Sequence, residues 1–408
     1  MSTTPLIGAA LFAQSGGPTA VINASAYGVI RAAQESADIT HIYAAANGIV
    51  GALADKLYDI GAEDPAELAL LAGTPSSAFG SCRYKLKPPE TDDTDYQKLL
   101  ALFKKRDIRY FFYNGGNDSM DTCDKISRFF ASSGYECRVI GVPKTIDNDL
   151  VGTDHAPGYG SAAKYIATAV AEVSLDNAVY DTPSVTVMEM MGRHAGWLTG
   201  AAALAGVADL IYLPEVAFDL DAFAASVKKV YDTKGKVLVC VSEGIQYADG
   251  TFVADAPISS GDGFAHAQLG GLAARLADVV KQRLGVKTRP IELSLLQRCA
   301  AHCASQTDVD EAIAVGEFAV KIALGGATGQ MATIQRAENA PYRAEYVAKP
   351  VSDAANAESK VPREWITPDG TGVTQAFIDY ALPLIQGDFK QHTENGLPRF
   401  ARLKLVRA

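Results

Sequence analysis

Short apolar runs alternate with amphipathic stretches along most of the chain. Residues 6–13, 41–46, 110–114, 138–142, 185–190, 210–213 and 237–242 read as strands. Between them, helical spacing predicts helices over 19–34 (entered through Gly16-Gly17-Pro18), 64–71, 94–105, about 119–130, about 158–173, 194–205, 220–231 and 264–284. Such strand–helix alternation predicts parallel sheets with helices on both faces. Ligands of such sheets bind at the carboxyl ends of strands, where the Gly- and Asp-rich segments of this chain fall. The pattern fades beyond about residue 335, and 337–368, with its prolines, Asn and charges, reads as an extended or irregular extension.

At 408 residues the chain exceeds one ordinary core and predicts two domains, or one with extensions. A net charge of −10 argues against a nucleic acid or membrane surface as partner, because both would repel the molecule. Phosphates remain accessible to it through a local cluster of Lys and Arg. The first charged residue is Arg31, so the apolar run 6–13 lacks the basic flank of a signal peptide and reads as a buried first strand. No apolar run approaches the length of a membrane span. The six cysteines form no CxxC pair, and Cys299, His302 and Cys303 read as a reduced helix rather than a metal site. A cytoplasmic enzyme fits these features.

Four strand ends carry candidate chemistry. Ser15-Gly16-Gly17-Pro18 is by itself ordinary turn punctuation. Gly115-Gly116-Asn117-Asp118-Ser119 lets backbone approach an anion at a helix start, and reads equally as a cap. Pro143-Lys144-Thr145-Ile146-Asp147-Asn148-Asp149 packs a cation and two carboxylates behind an apolar strand. There Asp147 can act as general base on a sugar hydroxyl, Asp149 can ligate magnesium, and Lys144 can neutralise a phosphoryl oxygen. After the 185–190 strand, Met191-Gly192-Arg193 offers a close backbone approach and a bidentate fork for phosphate. Glu243 can accept from a sugar hydroxyl, and Arg83, Arg289 and Arg298 are further phosphate-binding candidates. A P-loop and a protein-kinase signature set are absent from the sequence. Gly158-Tyr159-Gly160-Ser161-Ala162-Ala163 matches the dinucleotide pattern but follows Ala156-Pro157 rather than a strand.

Taken in order, SGGP (15–18), GGNDS (115–119), PKTIDND (143–149), MGRHAGW (191–197), SEG (242–244) and the arginines after Lys287 resemble a phosphofructokinase, over roughly residues 6–330. The resemblance implies an α/β protein of two doubly wound three-layer domains with mostly parallel sheets, plus a C-terminal extension. It divides the chain into a donor-binding domain (1–150 with about 299–340), a sugar-phosphate domain (151–298) and the extension (341–408). It makes Asp147 the base on the 1-hydroxyl of fructose 6-phosphate. Met191, Gly192, Arg193 and Glu243 would contact the sugar phosphate; Gly16 and Arg83 would contact the phosphoryl donor. Thr145 and Arg298 join the substrate site, and Mg²⁺ is the implied cofactor, near Asn117 and Asp149. A homodimer or homotetramer is implied, with Arg289 serving a neighbour's site.

ATP-using members carry Gly where this chain has Asp118 and Lys144, whereas pyrophosphate-using members resemble it at both. A carboxylate at Asp118 would repel and crowd the α-phosphate of ATP, and Lys144 can hold the phosphate leaving pyrophosphate. The implied reaction therefore uses pyrophosphate and fructose 6-phosphate. Three positions depart from the ATP-type pattern: Asn117 replaces an Asp, Ser184 an Arg, and Leu295 a His. The competing readings are an ATP-dependent kinase of the same fold, a non-catalytic sugar-phosphate sensor and, more distantly, a dehydrogenase. Retention of both Asp147 and Lys144 speaks against a sensor, which needs neither base nor leaving-group cation.

Overall fold

A computed structural model describes residues 6–254, 271–355 and 357–408. The first half of the chain supplies β1 (Gly8–Gln14), β2 (Ile39–Ala45), β3 (Leu57–Asp59), β4 (Ile108–Gly115) and β5 (Arg138–Pro143). A second group follows as β6 (Ser184–Met190), β7 (Leu210–Tyr212), β8 (Lys236–Ser242) and β9 (Lys287–Glu292). The chain then returns with β10 (Gln330–Asn339) and β11 (Tyr342–Pro350). One sheet has the order β11-β10-β5-β4-β1-β2-β3 and is parallel from β10 through β2, with antiparallel strands at both edges. The other has the order β7-β8-β6-β9 and is parallel throughout. This is the α/β class the alternation predicts.

The strands read as unbroken apolar runs because both their faces are covered. On β1, Ala9, Leu11 and Ala13 enter one core while Ala10 and Phe12 enter the other; on β4, Phe111 and Tyr113 oppose Tyr110 and Phe112 in the same way. The second sheet repeats the device, with Val237, Val239 and Val241 of β8 on one side and Leu238 and Cys240 on the other. The faces are covered by helices such as Ile22–Gln34, Thr94–Lys105, Asn117–Ser132, Tyr159–Ala178, Leu220–Lys234 and Gln306–Leu324. The expected helix 264–284 is found as Leu272–Leu284, and its first seven expected residues lie outside the described ones.

Two expectations need correction. The segment 337–368 is not irregular throughout, because β10 and β11 pair antiparallel over its first part. β11 lies at the sheet edge with only one face covered: Tyr342, Ala344 and Tyr346 pack inward while Arg343 and Glu345 between them are exposed, so it alternates over a short stretch instead of forming the unbroken apolar run of the central strands. The stretch 194–205 is a short helix, Trp197–Gly200, continued as a 3₁₀ turn rather than one regular helix.

The dinucleotide-like match also finds its explanation. Gly158 opens the helix Tyr159–Ala178, but the buried carboxylate of Asp308 accepts the N–H groups of Gly158 (2.9 Å) and Ser161 (2.8 Å). The anion at that helix start is the protein's own, so the glycines serve packing.

Candidate active site

The site is built where β1 and β4 end side by side: Ser15 N–H donates to Asn114 O at 2.9 Å. The connection after β1 runs to β2 on one side and that after β4 runs to β5 on the other, so a crevice opens at their carboxyl ends. Gly16 turns the chain there with φ of 76°, a left-handed conformation that favours glycine. Its N–H donates to Cys82 O at 3.0 Å and its carbonyl accepts from Ser81 Oγ at 2.7 Å, which fixes the turn against the Ser81–Arg83 loop. From the end of β5, Lys144 reaches under this turn, and its ammonium donates to Gly17 O at 2.6 Å. A Cβ on Gly16 would sit 3.3 Å from Lys144 Nζ, and one on Gly17 would sit 3.1 Å from Arg298 Nη1. Two cations from distant parts of the chain thus meet across two glycines.

Burial is the largest influence on Lys144, and it wins over the nearby carboxylates of Asp147 and Asp149: the pKa is lowered to about 8. The same environment acts oppositely on Asp147. Burial, then Asp149 and Glu243, outweigh Lys144 and Arg298 and push Asp147 up to about 7. Asp149 is also raised, chiefly by burial. Burial raises Glu243, against the Gly192 N–H and the charges of Arg193 and Arg298. A carboxylate poised near neutrality beside a cation is the arrangement general base catalysis requires.

The second sheet contributes the opposite wall. Gly192 follows β6 with φ of 133°, and its N–H donates to Glu243 Oε1 at 3.4 Å. Glu243 is tied to the end of β6 by its own N–H, which donates to Met190 O at 2.9 Å. Met191 N–H donates to the buried Gln297 Oε1 at 3.2 Å, which couples the Met191–Arg193 turn to the short helix carrying Arg298. Arg193 lies over the Phe252 ring, 5.4 Å from its centroid, close enough to favour the Glu243 charge. Thr145 Oγ1 accepts the Asp147 N–H at 3.1 Å, which shapes the loop between Lys144 and its carboxylates.

The structure therefore brings Gly16, Arg83, Lys144, Thr145, Asp147, Asp149, Met191, Gly192, Arg193, Glu243 and Arg298 into one constellation, Arg83 through its charge on Lys144 and Arg298. Asp118 stands at its rim, more than half exposed, with Lys85 Nζ 3.2 Å from its Oδ1. Lys85, Gln297 and Asn148 are members that sequence reasoning missed. Arg289 is not among them: it sits on the edge strand β9, paired with Asp176 at 2.9 Å.

Two oxygens suit a hard cation. Asn117 Nδ2 donates to Asp149 Oδ2 at 3.2 Å, while Asn117 Oδ1 is buried with no hydrogen-bond partner. Among the described residues no group of three or more His, Cys, Asp or Glu could hold a metal. The chain thus offers one carboxylate and one amide oxygen, a donor set that leaves most positions to water and phosphate oxygens, as magnesium prefers.

The pKa of Lys144 makes a prediction. Its cation is present below about pH 8 and lost above, so kcat/KM for a phosphoryl donor bound against it should fall on the alkaline side of about pH 8. In Lys144→Arg the alkaline limb should vanish, because guanidinium does not deprotonate in this range. A pH–rate profile of both proteins reads this directly; an unchanged limb in the variant would remove Lys144 from the reaction.

The phosphofructokinase family model matches residues 9–323, well over half of the chain. The chain belongs to the phosphofructokinase family. Two bacterial members are closely similar: the pyrophosphate–fructose 6-phosphate 1-phosphotransferase of Halomonas elongata is 50% identical over 97% of this chain and 96% of its own length. The protein of the same name from Methylococcus capsulatus is 46% identical, with 97% and 95% covered. The crystal structure of the pyrophosphate-dependent phosphofructokinase from Marinobacter aquaeolei superimposes with a TM-score of 0.90 at 43% identity, covering 98% of this chain and 97% of that one. The phosphofructokinase fold expected from the motifs is therefore the fold of this chain. No helix among its described residues is long and apolar enough to cross a membrane.

Proposed function

We propose that this phosphofructokinase moves a phosphoryl group from pyrophosphate to the 1-hydroxyl of fructose 6-phosphate, giving fructose 1,6-bisphosphate and phosphate, reversibly and in the cytoplasm. The observation that carries the reading is the meeting of Lys144 and Arg298 across Gly16-Gly17, with Asp147 held near neutrality beside them. Full-length relatives at 46–50% identity bear the name of this activity.

Asp147 accepts the proton of the 1-hydroxyl, and the freed oxygen attacks the nearer phosphorus of pyrophosphate. The bond from that phosphorus to the bridging oxygen breaks, and its electron pair leaves with inorganic phosphate. Lys144, desolvated and fixed by Gly17, receives the growing negative charge where water cannot screen it. Arg83 holds the donor, the Gly16 turn gives it room, and Arg298 reaches toward Gly17 from the sugar side as a further phosphate-binding cation. Glu243, Met191, Gly192 and Arg193 hold the sugar phosphate. Asp149 and Asn117 would hold Mg²⁺, which when bound neutralises charge between the two phosphoryl groups.

Asp118 bars ATP at the rim. Its bulk and its charge both act there, and its pairing with Lys85 offsets part of the charge. In the proposed division, residues 1–150 with about 299–340 bind the donor and 151–298 the sugar. The test is the reverse reaction: fructose 1,6-bisphosphate with phosphate and magnesium should yield pyrophosphate, read by ³¹P resonance. No pyrophosphate peak would refute the assignment.

The exposed edge position of Arg289 suits a role in a neighbour's site within a homodimer or homotetramer. Arg289→Ala should raise the KM for fructose 6-phosphate strongly and leave that for pyrophosphate nearly unchanged. Hybrids of this variant with Asp147→Ala should regain activity. Fully exchanged hybrids that stay inactive would mean that each chain is self-sufficient.

A further inference from the structure

Between the two carboxylates of the catalytic loop stands Asn148, with φ of 56°. A side chain in the left-handed region persists where its surroundings hold it, and here they do so through a closed set of hydrogen bonds. Asn148 Oδ1 accepts Ala156 N–H at 3.0 Å, and Asn148 Nδ2 donates to Tyr380 Oη at 2.8 Å. The Tyr380 hydroxyl donates in turn to Asp154 O at 2.8 Å. The backbone N–H of Ala156 can only donate, which fixes the oxygen end of the amide. The phenol must then accept from Nδ2 and give its one hydrogen to the carbonyl, so every role is determined.

Tyr380 comes from the helix Gln375–Ala381, 232 residues along the chain from Asn148. Its ring packs against Trp197 at 5.2 Å and Trp365 at 5.3 Å, with the Arg336 guanidinium 4.7 Å from its centroid. Arg336 also donates to Tyr380 O at 2.9 Å, so the residue is held at ring and backbone alike. Such an aromatic cluster has no need of a hydroxyl: a phenylalanine would fill the same space without burying a polar group. What the hydroxyl reaches is the loop. The same terminal segment touches that loop again at Ser359, whose N–H donates to Asp149 O at 2.7 Å.

We propose that Tyr380 is a positioning residue: through Asn148 its hydroxyl holds the catalytic loop so that Asp147 and Asp149 face the substrates. The proposal rests on the function given above for what the loop does. Tyr380 acts through Asn148, and it ties the extension to the chemistry.

Tyr380→Phe tests this with two readouts. In steady-state assays with pyrophosphate and fructose 6-phosphate, kcat should fall ~10–10²-fold while both KM values stay within about two-fold, the pattern of a misaimed group rather than a lost binding contact. In the resting protein, hydrogen exchange of residues 145–156 should quicken about ten-fold or more, with that of β1 and β4 unchanged. If this variant fails to fold, Asn148→Gly keeps access to positive φ, removes both side-chain bonds and should give the same two results. Unchanged exchange in the loop overturns the proposal whatever the activity, and so does a wild-type kcat. A wild-type enzyme inert with pyrophosphate would instead refute the assigned reaction, and the exchange arm would still decide the role of Tyr380.

Discussion

Asp147→Ala should lower kcat by ~10²–10⁴-fold while leaving substrate binding largely intact, the usual reach of general acid–base catalysis. The wild-type carboxylate has the pKa and the place of a general base, because it is pushed up to about 7 and lies in the charge field of Lys144, Arg298 and Glu243. Arg83, Arg193 and Arg298 lie outside the loop that carries Asp147, so the substrates keep these anchors in the variant. Deleting the carboxylate also removes a charge that supports the Lys144 cation, so the alkaline limb of the profile should move to lower pH in parallel. A variant with normal kcat and a raised KM would make Asp147 a binding residue and end the mechanism.

Lys144→Gly should depress the pyrophosphate reaction by ~2.7–4 kcal/mol in the barrier, or about 10²–10³-fold, as for the loss of one preorganised electrostatic group. The ammonium is desolvated and anchored at 2.6 Å to Gly17 O, so no reorganisation is needed as charge develops on the departing phosphate. Asp118→Gly, in contrast, should leave the pyrophosphate reaction nearly intact and give detectable activity with ATP. Asp118 is exposed at the rim, paired with Lys85, and in the proposed reaction it acts on which donor enters rather than on the transfer itself. Competition and single-donor assays on the two variants separate a leaving-group role from a gate. Loss of the pyrophosphate reaction in Asp118→Gly would show that this residue works within the site.

Candidate site residues that sit at the end of their own strand were legible in the sequence. Lys144, Asp147 and Asp149 follow an apolar run whose end had to face the crevice, and Met191–Arg193 and Glu243 follow two others. Gly16 was not legible on its own, since paired glycines between a strand and a helix are ordinary turn punctuation, and only the family resemblance singled it out. Tyr380 and Asn148 were not legible either, because their meaning lies in a bond between parts of the chain 232 residues apart, with no local period to mark it. Gln297 and Lys85 escaped for a like reason: each matters only through the partner the fold brings to it. On the fold side, β1 and β4 announce themselves because both faces are covered, whereas β11, covered on one face at a sheet edge, alternates apolar and exposed positions over one short stretch within a segment read as extended or irregular. Arg289 was readable as an arginine worth naming, but a single chain pairs it with Asp176 and gives it no partner in the site.

The central claim concerns the phosphoryl donor, and one measurement reaches it most directly. Purified wild-type protein with fructose 6-phosphate and magnesium is given either pyrophosphate or ATP, and fructose 1,6-bisphosphate formation is followed for each. Rapid turnover with pyrophosphate and almost none with ATP is the predicted result; robust turnover with ATP and none with pyrophosphate would contradict it.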